Sequence, residues 1–467
     1  MIANEVLEKL RNAVGPDNVL TDPLDLMVYG YDTGFETRLH PKPPDVVVRP
    51  GSTEEVSAIM KIAWEHEVPV TPRAAASGMT SGSVAVQGGI VMEMLRMNRL
   101  LEMDLDNLQV FVEPGMVHAK LNELLKPYGF FFPVDPGSSK TLTLGGMVAN
   151  NSSGMRAVKY GTTRNYVLGL EVVMPDGTVI WTGGQNSRCL KSVSGYDLTQ
   201  LMVGSEGTLG VITKIRLKVL PIPEKRGVVF AAFNDLKDLG ETVVELFRHK
   251  ASPSAIEVMD KSSIQAVNLI RPETPLPEAE GILMLEIDGS PAEVKHQAQQ
   301  CAKVCEKRAR EVRWSDDPAE IQEIWSGRQL VGAAMTRVHP GTSRVYAAED
   351  IGVPITKVPE ALIRLQEISR EHDIPLITFG HVGDGNLHAG MVVDFRDQER
   401  LKKAAVVADI VQRMAIEMGG TSTAEHGVGA ARARYMEAEH GPALDVMRAI
   451  KRALDPKNIM NPGKMAL

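Results

Sequence analysis

The stretch Pro133–Gly161, PVDPGSSKTLTLGGMVANNSSGMRAVKYG, constrains this chain most. Its glycines, Gly137, Gly145, Gly146, Gly154 and Gly161, are interspersed with Ser138, Ser139, Asn150, Asn151, Ser152 and Ser153. Glycine lets a backbone approach a bulky ligand and adopt positive φ. N–H groups freed in such turns, and at the start of a following helix, can hold an anion such as a pyrophosphate. A turn-rich surface loop is the alternative, although TLTLGGMV is too apolar to lie comfortably in water. Two further small-residue stretches adjoin apolar strands, PRAAASGMTSG at Pro72–Gly82 and VGSEGTLGVIT at Val203–Thr213.

The length of 467 residues fits about three domain-sized lobes with sizeable cores. A hydrophobic content of 43% with 24% charged residues is that of a soluble globular protein. A net charge of −8 with no basic block argues against a nucleic-acid partner. No apolar run approaches the ~18 residues of a transmembrane segment. The opening MIANEVLEKLRNAVG, with Glu5 and Glu8, reads as an amphipathic helix and not a signal peptide. The three cysteines, Cys189, Cys301 and Cys305, suit a reducing cytoplasm. One cysteine pair cannot supply the four thiolates of an iron–sulfur cluster, so any such cluster belongs to another chain.

In chain order, Asp45–Arg49 reads as a strand, and Ser52 with Glu55 as a capping box for a helix reaching His66. Val68–Arg73 is the next strand and delivers the Pro72–Gly82 loop. Strands near Ile90–Leu95 and Leu108–Val112 precede a helix at Val117–Lys126. Asp176-Gly177 is a hairpin signal between Val167–Met174 and Thr178–Trp181. Val211–Val219 closes this half, and Pro221 and Pro223 mark a boundary. The next segment alternates strand, helix, strand, strand, helix, strand from Val228 to Trp314, the ferredoxin-like pattern, with Pro272–Pro277 as its middle loop. The expected fold class is α+β, with domains at 1–221 and 222–418 and a C-terminal helical segment at 419–467.

Chemistry concentrates in two later stretches. ITFGHVGDGNLHAGMVV, Ile377–Val393, is a hairpin turning at Gly383-Asp384-Gly385-Asn386. His381 and His388 are seven residues apart, an odd spacing that would separate them on one straight strand. Around a hairpin they can converge. STAEHGVG, Ser422–Gly429, places Glu425 and His426 before an expected helix. Two histidines and a glutamate suit a divalent metal with an open position. The plain alternative is two backbone-paired hairpin histidines and an unrelated helix-start acid.

The glycine stretches together resemble the FAD-binding half of the vanillyl-alcohol oxidase/p-cresol methylhydroxylase superfamily. GHVGDGNLH followed by EHG resembles its 2-hydroxy-acid dehydrogenase branch, that of glycolate oxidase flavin subunits, D-lactate dehydrogenases and D-2-hydroxyglutarate dehydrogenases. The resemblance runs nearly end to end. It implies a two-part PCMH-type FAD-binding domain, a ferredoxin-like antiparallel-sheet cap, and C-terminal helices returning to the flavin domain. Position by position it implies metal ligands His381, His388 and Glu425, with zinc, iron or manganese all acceptable. It implies His426 as base, Asn386 as a polar neighbour, and Arg328, after Trp325, as the grip on a substrate carboxylate. Implied FAD contacts are Arg73, Ala74, Ala75, Ala76, Ser77, Gly78, Thr80 and Ser81; Pro136, Gly137, Ser138, Thr143, Gly145, Gly146, Ala149, Asn150, Ser153, Gly154, Tyr160 and Gly161; Glu206, Gly207, Gly210, Val211 and Ile212; and Asn461 of the C-terminal Asn461-Pro462-Gly463-Lys464 run. The chain departs from the family at Ala74–Ala76, where three glycines are usual and alanine disfavours positive φ. With no histidine or cysteine in that loop, the flavin is expected to be non-covalent.

The implied reaction is oxidation of a small D-2-hydroxy acid by FAD, assisted by a divalent metal. Ala347-Ala348-Glu349-Asp350 lacks the lysine that the D-2-hydroxyglutarate enzymes carry there, which favours D-lactate or glycolate. D-2-hydroxyglutarate oxidation, or other chemistry on the same fold such as alkyl-glycerone-phosphate synthesis, is the alternative. No G-x-G-x-x-G joins a strand to a helix, so a nicotinamide enzyme is not expected. Electrons are expected to pass to an acceptor protein, an iron–sulfur subunit or an electron-transferring flavoprotein, or to a quinone or cytochrome. The expected location is cytoplasmic, with room for peripheral association at the inner membrane face.

Overall fold

The computed structural model describes residues 2–338 and 340–467. Met1 of the expected N-terminal helix therefore lies outside the described residues; the helix itself is Asn4–Val14. The chain forms two compact units. The first comprises Met1–Ser153, Thr162–Ile222 and Glu425–Leu467, and the second Gly154–Gly161 and Pro223–Ala424.

The first unit carries strands β1 (Val19–Leu20), β2 (Val46–Val48), β3 (Val70–Arg73), β4 (Ile90–Glu93), β5 (Leu100–Asp104), β6 (Gln109–Val112), β7 (Phe130–Phe131), β8 (Val167–Val173), β9 (Val179–Trp181), β10 (Val211–Lys218) and β11 (Leu220–Pro221). They make a four-stranded sheet β1-β2-β4-β3, a five-stranded sheet β5-β6-β10-β8-β9 and the pair β11-β7. In the first sheet β2, β4 and β3 run parallel. Parallel strands need a crossover, supplied between β2 and β3 by the helix Thr53–His66. Its residues Val56, Ile59, Met60 and Ala63 pack with Val46, Val48, Val70 and Ile90 in one core. Ser52 caps that helix by accepting from Glu55 N, while the Glu55 carboxylate reaches back to Gly51 N and not to the cap residue itself. The Asp176-Gly177 turn joins β8 and β9 as an antiparallel hairpin, with Gly177 at φ +84°.

The second unit carries β12 (Lys225–Phe233), β13 (Ala255–Asp260), β14 (Gly281–Gly289), β15 (Glu311–Ser315), β16 (Ser343–Val345), β17 (Ile351–Gly352), β18 (Leu376–His381) and β19 (Asn386–Val393). The sheet order is β15-β12-β14-β13-β18-β19-β16, with β17 on β19. The first four strands, in the order fourth-first-third-second, are the ferredoxin-like arrangement. The β18–β19 hairpin extends it through antiparallel pairing of β18 with β13. Side chains alternate across a strand, so each residue's face follows from register. Phe230, Met259, Met284, Ile377 and Phe379 share a face that packs with residues of the helices Lys261–Ile270 and Pro318–Val338. Glycine in β14 and β12 marks the other face, where a Cβ at Gly281 would meet Leu239, and one at Gly227 would meet Val294.

Candidate active site

Candidate site residues occur in both units, and the two groups are built differently. In the first unit the loops meet through backbone groups. Glu206, at φ +51° and buried, accepts from Val428 N and Gly429 N, each at 2.7 Å. Burial raises its carboxyl against the pull of those two donors. Its own N–H goes to Ala149 O, and its carbonyl accepts from Asn461 Nδ2 at 2.7 Å. Asn461 Nδ2 also donates to Gly82 O at 2.9 Å, and Ala430 N to Thr80 O. Asn150 Nδ2 donates to His426 O, and Ser153 Oγ to Glu425 Oε2 at 3.2 Å. No helix starts at Glu425 and His426: the chain stays irregular until Ala433–Tyr435, a turn that runs on into the helix Met436–His440. Their placement comes from these long-range bonds and not from a helix start.

The central glycine stretch differs from expectation in one respect. The helix after it, Leu144–Asn150, has its opening N–H groups already used. Leu144 N donates to Met116 O, Gly145 N to Pro114 O and Met147 N to Thr143 O, while Gly146 N reaches the Thr143 hydroxyl. A Cβ on Gly145 would sit 2.5 Å from Pro114 Cβ, so this glycine serves close backbone packing. In the Pro72–Gly82 loop the N–H groups from Ala75 to Thr80 donate to no protein acceptor. Such a run of N–H groups suits a pyrophosphate. Ala76 lies at φ +53° and Ser81 at φ +62°, so the loop holds the left-handed geometry that glycine would favour without the glycine. Arg73 turns its guanidinium to the carbonyls of Tyr31 and Ser83 and braces the loop from behind. Gly207, at φ +70°, and Gly210 lead into Val211 and Ile212, the first residues of β10.

The residues fit FAD on two counts: these open N–H groups and the buried Oδ1 of Asn461, which has no partner and would accept from a ring N–H. The Pro136–Ser138 turn is held by Ser139 N to Pro136 O, and Ser139 Oγ meets His118 Nδ1 at 2.7 Å. Burial lowers the His118 pKa to about 4. Lys464, buried and donating to Val84 O, is lowered to about 8 by desolvation, which Asp32 and Glu206 only partly offset. Gly154, Tyr160 and Gly161 fall in the second unit, where Tyr160 donates to Asp288 Oδ2 at 2.7 Å and Arg156 pairs with Glu286 through two bonds.

In the second unit one sheet face carries the side chains. The hairpin register pairs Phe379 with His388 and His381 with Asn386, so all four share a face. The odd spacing of the histidines is absorbed by the turn, and their Nε2 atoms lie 3.4 Å apart with the rings at 87°. Glu257, opposite His381 on β13, accepts from His381 Nδ1 at 2.5 Å and from Arg328 Nε at 2.6 Å. Arg328 is not a helix-surface residue; it is buried, with its guanidinium carbon 4.8 Å from the Phe379 ring centroid. Asn386 Nδ2 donates to Asp350 Oδ1 and Ile351 O, and its buried Oδ1 has no partner. Asp350, at φ +73°, also accepts from Thr423 Oγ1, and Glu349 pairs with Arg344 through two bonds. Sequence reasoning missed Glu257 as a site residue. Its signal was an acid inside the apolar strand AIEVMD, where a buried charge needs partners.

Two imidazole nitrogens facing one another, one ring held from behind by a carboxylate, are a donor set for a divalent metal. Comparison with known proteins agrees with a flavin enzyme. Residues 44–183 match the FAD binding domain family, and residues 222–465 match FAD linked oxidases, C-terminal domain. The chain is 35% identical to the glycolate oxidase subunit GlcD of Bacillus subtilis, over 100% of this chain and 97% of that protein. It is 34% identical to the probable mitochondrial D-lactate dehydrogenase of Danio rerio, over 98% of this chain and 91% of that one. The structure of p-cresol methylhydroxylase with substrate bound superposes with a TM-score of 0.83 at 18% identity, covering 99% of this chain and 96% of that one, so the fold is shared. No described helix is long and apolar enough to cross a membrane. With both halves matched and relatives aligned end to end, the chain belongs to the FAD-linked oxidase family, and it is a flavoprotein oxidoreductase with a PCMH-type FAD-binding fold.

Proposed function

We propose that this enzyme oxidises a small D-2-hydroxy acid, D-lactate or glycolate, to the 2-oxo acid and passes the electrons to a protein or quinone acceptor. The observation that carries the reading is the facing pair His381 and His388 with Glu257 behind it. Bound FAD would supply the two-electron acceptor, and a divalent ion held by His381 and His388 would supply a Lewis acid that eases loss of the hydroxyl proton. His426 takes that proton. Arg328 keeps its terminal nitrogens for the substrate carboxylate, since only its Nε is engaged by Glu257. Asn386 Oδ1 offers an acceptor on the same face. Ala347-Ala348-Glu349-Asp350 carries no lysine to serve a second carboxylate, which favours a monocarboxylate over D-2-hydroxyglutarate. Relatives named as a glycolate oxidase subunit and a D-lactate dehydrogenase support the substrate class and a separate acceptor.

The test is anaerobic stopped-flow flavin reduction by D-lactate, glycolate and D-2-hydroxyglutarate, with metal analysis. D-Lactate or glycolate should bleach the flavin fastest. His381→Ala and His388→Ala should lose metal and activity while keeping FAD. Absence of bleaching by either monocarboxylate, or full metal content in His381→Ala, would overturn the assignment. Acid denaturation should release all yellow colour to the supernatant, and colour left on the pellet would exclude a non-covalent flavin.

A further inference from the structure

We infer that Glu257 is a positioning residue that sets the tautomer of His381 and so tunes metal affinity from behind the ligand, while tying that ligand to Arg328. The inference rests on the metal reading above. Glu257 is fully buried, and its two oxygens are divided: Oε1 accepts from His381 Nδ1 at 2.5 Å, and Oε2 from Arg328 Nε at 2.6 Å. A carboxylate can only accept, so the shared proton belongs on His381 Nδ1 and Nε2 is left with a lone pair. That Nε2 faces His388 Nε2 at 3.4 Å, a distance at which two N–H groups would repel. The geometry therefore requires at least one bare nitrogen, and Glu257 decides which. Register makes the arrangement rigid, because Glu257 and His381 are direct partners across β13 and β18. Arg328 matters to the same carboxylate: a lone buried glutamate would be costly, and the guanidinium both offsets its charge and fixes its rotation. Stacking of Arg328 over Phe379, whose ring is 5.1 Å from that of His388, extends the same packed unit to the second imidazole.

Glutamine at 257 cannot serve both neighbours. Its oxygen can accept from one, but its amide then points a donor at the other. The experiment strips metal from the FAD-loaded protein and measures Mn²⁺ and Zn²⁺ binding by isothermal titration, with flavin absorbance and circular dichroism as controls. Glu257→Gln should weaken metal binding about 10–100-fold with FAD content unchanged, the usual worth of a group orienting a metal ligand. Because Glu257→Gln disturbs the buried Arg328 and can affect folding, the double variant Glu257→Leu/Arg328→Met, which removes both the acceptor behind His381 and the cation it balances, is measured beside it. A folded double variant that binds metal as tightly as the parent would overturn the inference. His388→Ala separates the two levels. If the parent binds metal and His388→Ala does not, the metal reading stands and Glu257 alone is on trial. If His388→Ala binds like the parent, the metal reading itself falls.

Discussion

The loops of the first unit and the sheet face of the second solve the problem of holding a small molecule in opposite ways. Around Glu206 and Asn461 the contacts run largely through main chain, and side chains act as ties between loops. On β13, β18 and β19 the main chain is consumed by the ladder, and only side chains face outward. A backbone cradle depends on the path of its main chain more than on side-chain identity. A side-chain constellation tolerates little, because donor and acceptor identities at 2.5–2.6 Å leave no substitute.

The contrast can be broken most forcefully at His426. Asparagine there should leave FAD and metal in place and slow flavin reduction about 10²–10⁴-fold, the worth of a positioned general base. Stopped-flow reduction by D-lactate across pH measures it; an unchanged rate would move the base elsewhere.

Next in size is Lys464, on the loop side. The folded lysine is lowered to about 8 from an ordinary 10.5. Between those values the unfolded chain holds the proton that the folded one has released, so stability rises with pH over that window. The contribution is complete above 10.5 and lost as pH falls through 8, about 3 kcal/mol in all. Urea midpoints of the apo protein and Lys464→Met should therefore converge from pH 8 to 10.5. A constant gap would show that desolvation is not what sets this lysine.

Gly145→Ala should cost about 2 kcal/mol, because its Cβ would overpack Pro114. The loss should appear as a lower melting temperature and weaker FAD retention, with the His381–His388 pair unaltered. The smallest effect runs the other way. Ala76→Gly relieves a left-handed alanine at φ +53° and should stabilise the loop by about 1 kcal/mol. A destabilised Ala76→Gly would mean the alanine methyl packs usefully.

Much of the fold could be read from local pattern. The strand–helix alternation from 228 to 314 carried the ferredoxin-like strand order but missed the helix Lys261–Ile270 before the Pro272–Pro277 loop, and the Gly383–Asn386 turn between apolar runs carried the β18–β19 hairpin. These are short-range properties: period, turn residues and caps act within a few residues of one another. The histidines, Glu425 and His426 were legible as residue types.

Their fixing groups were not, and the reason is distance along the chain. Glu257 lies 124 residues from His381, and only the insertion of β18 beside β13 makes them partners. Glu206 is 222 residues from Val428, whose N–H it takes. The start of the helix at Leu144 looked open to an anion, yet Pro114 and Met116 arrive from elsewhere to occupy it. Sequence by itself determined which residues could do chemistry and which segments would be strand, turn or helix. Tertiary structure decided which N–H groups stay open, which imidazole nitrogen is bare and which arginine is buried, because hydrogen-bond partners are assigned by sheet order and loop closure and not by neighbourhood in the chain.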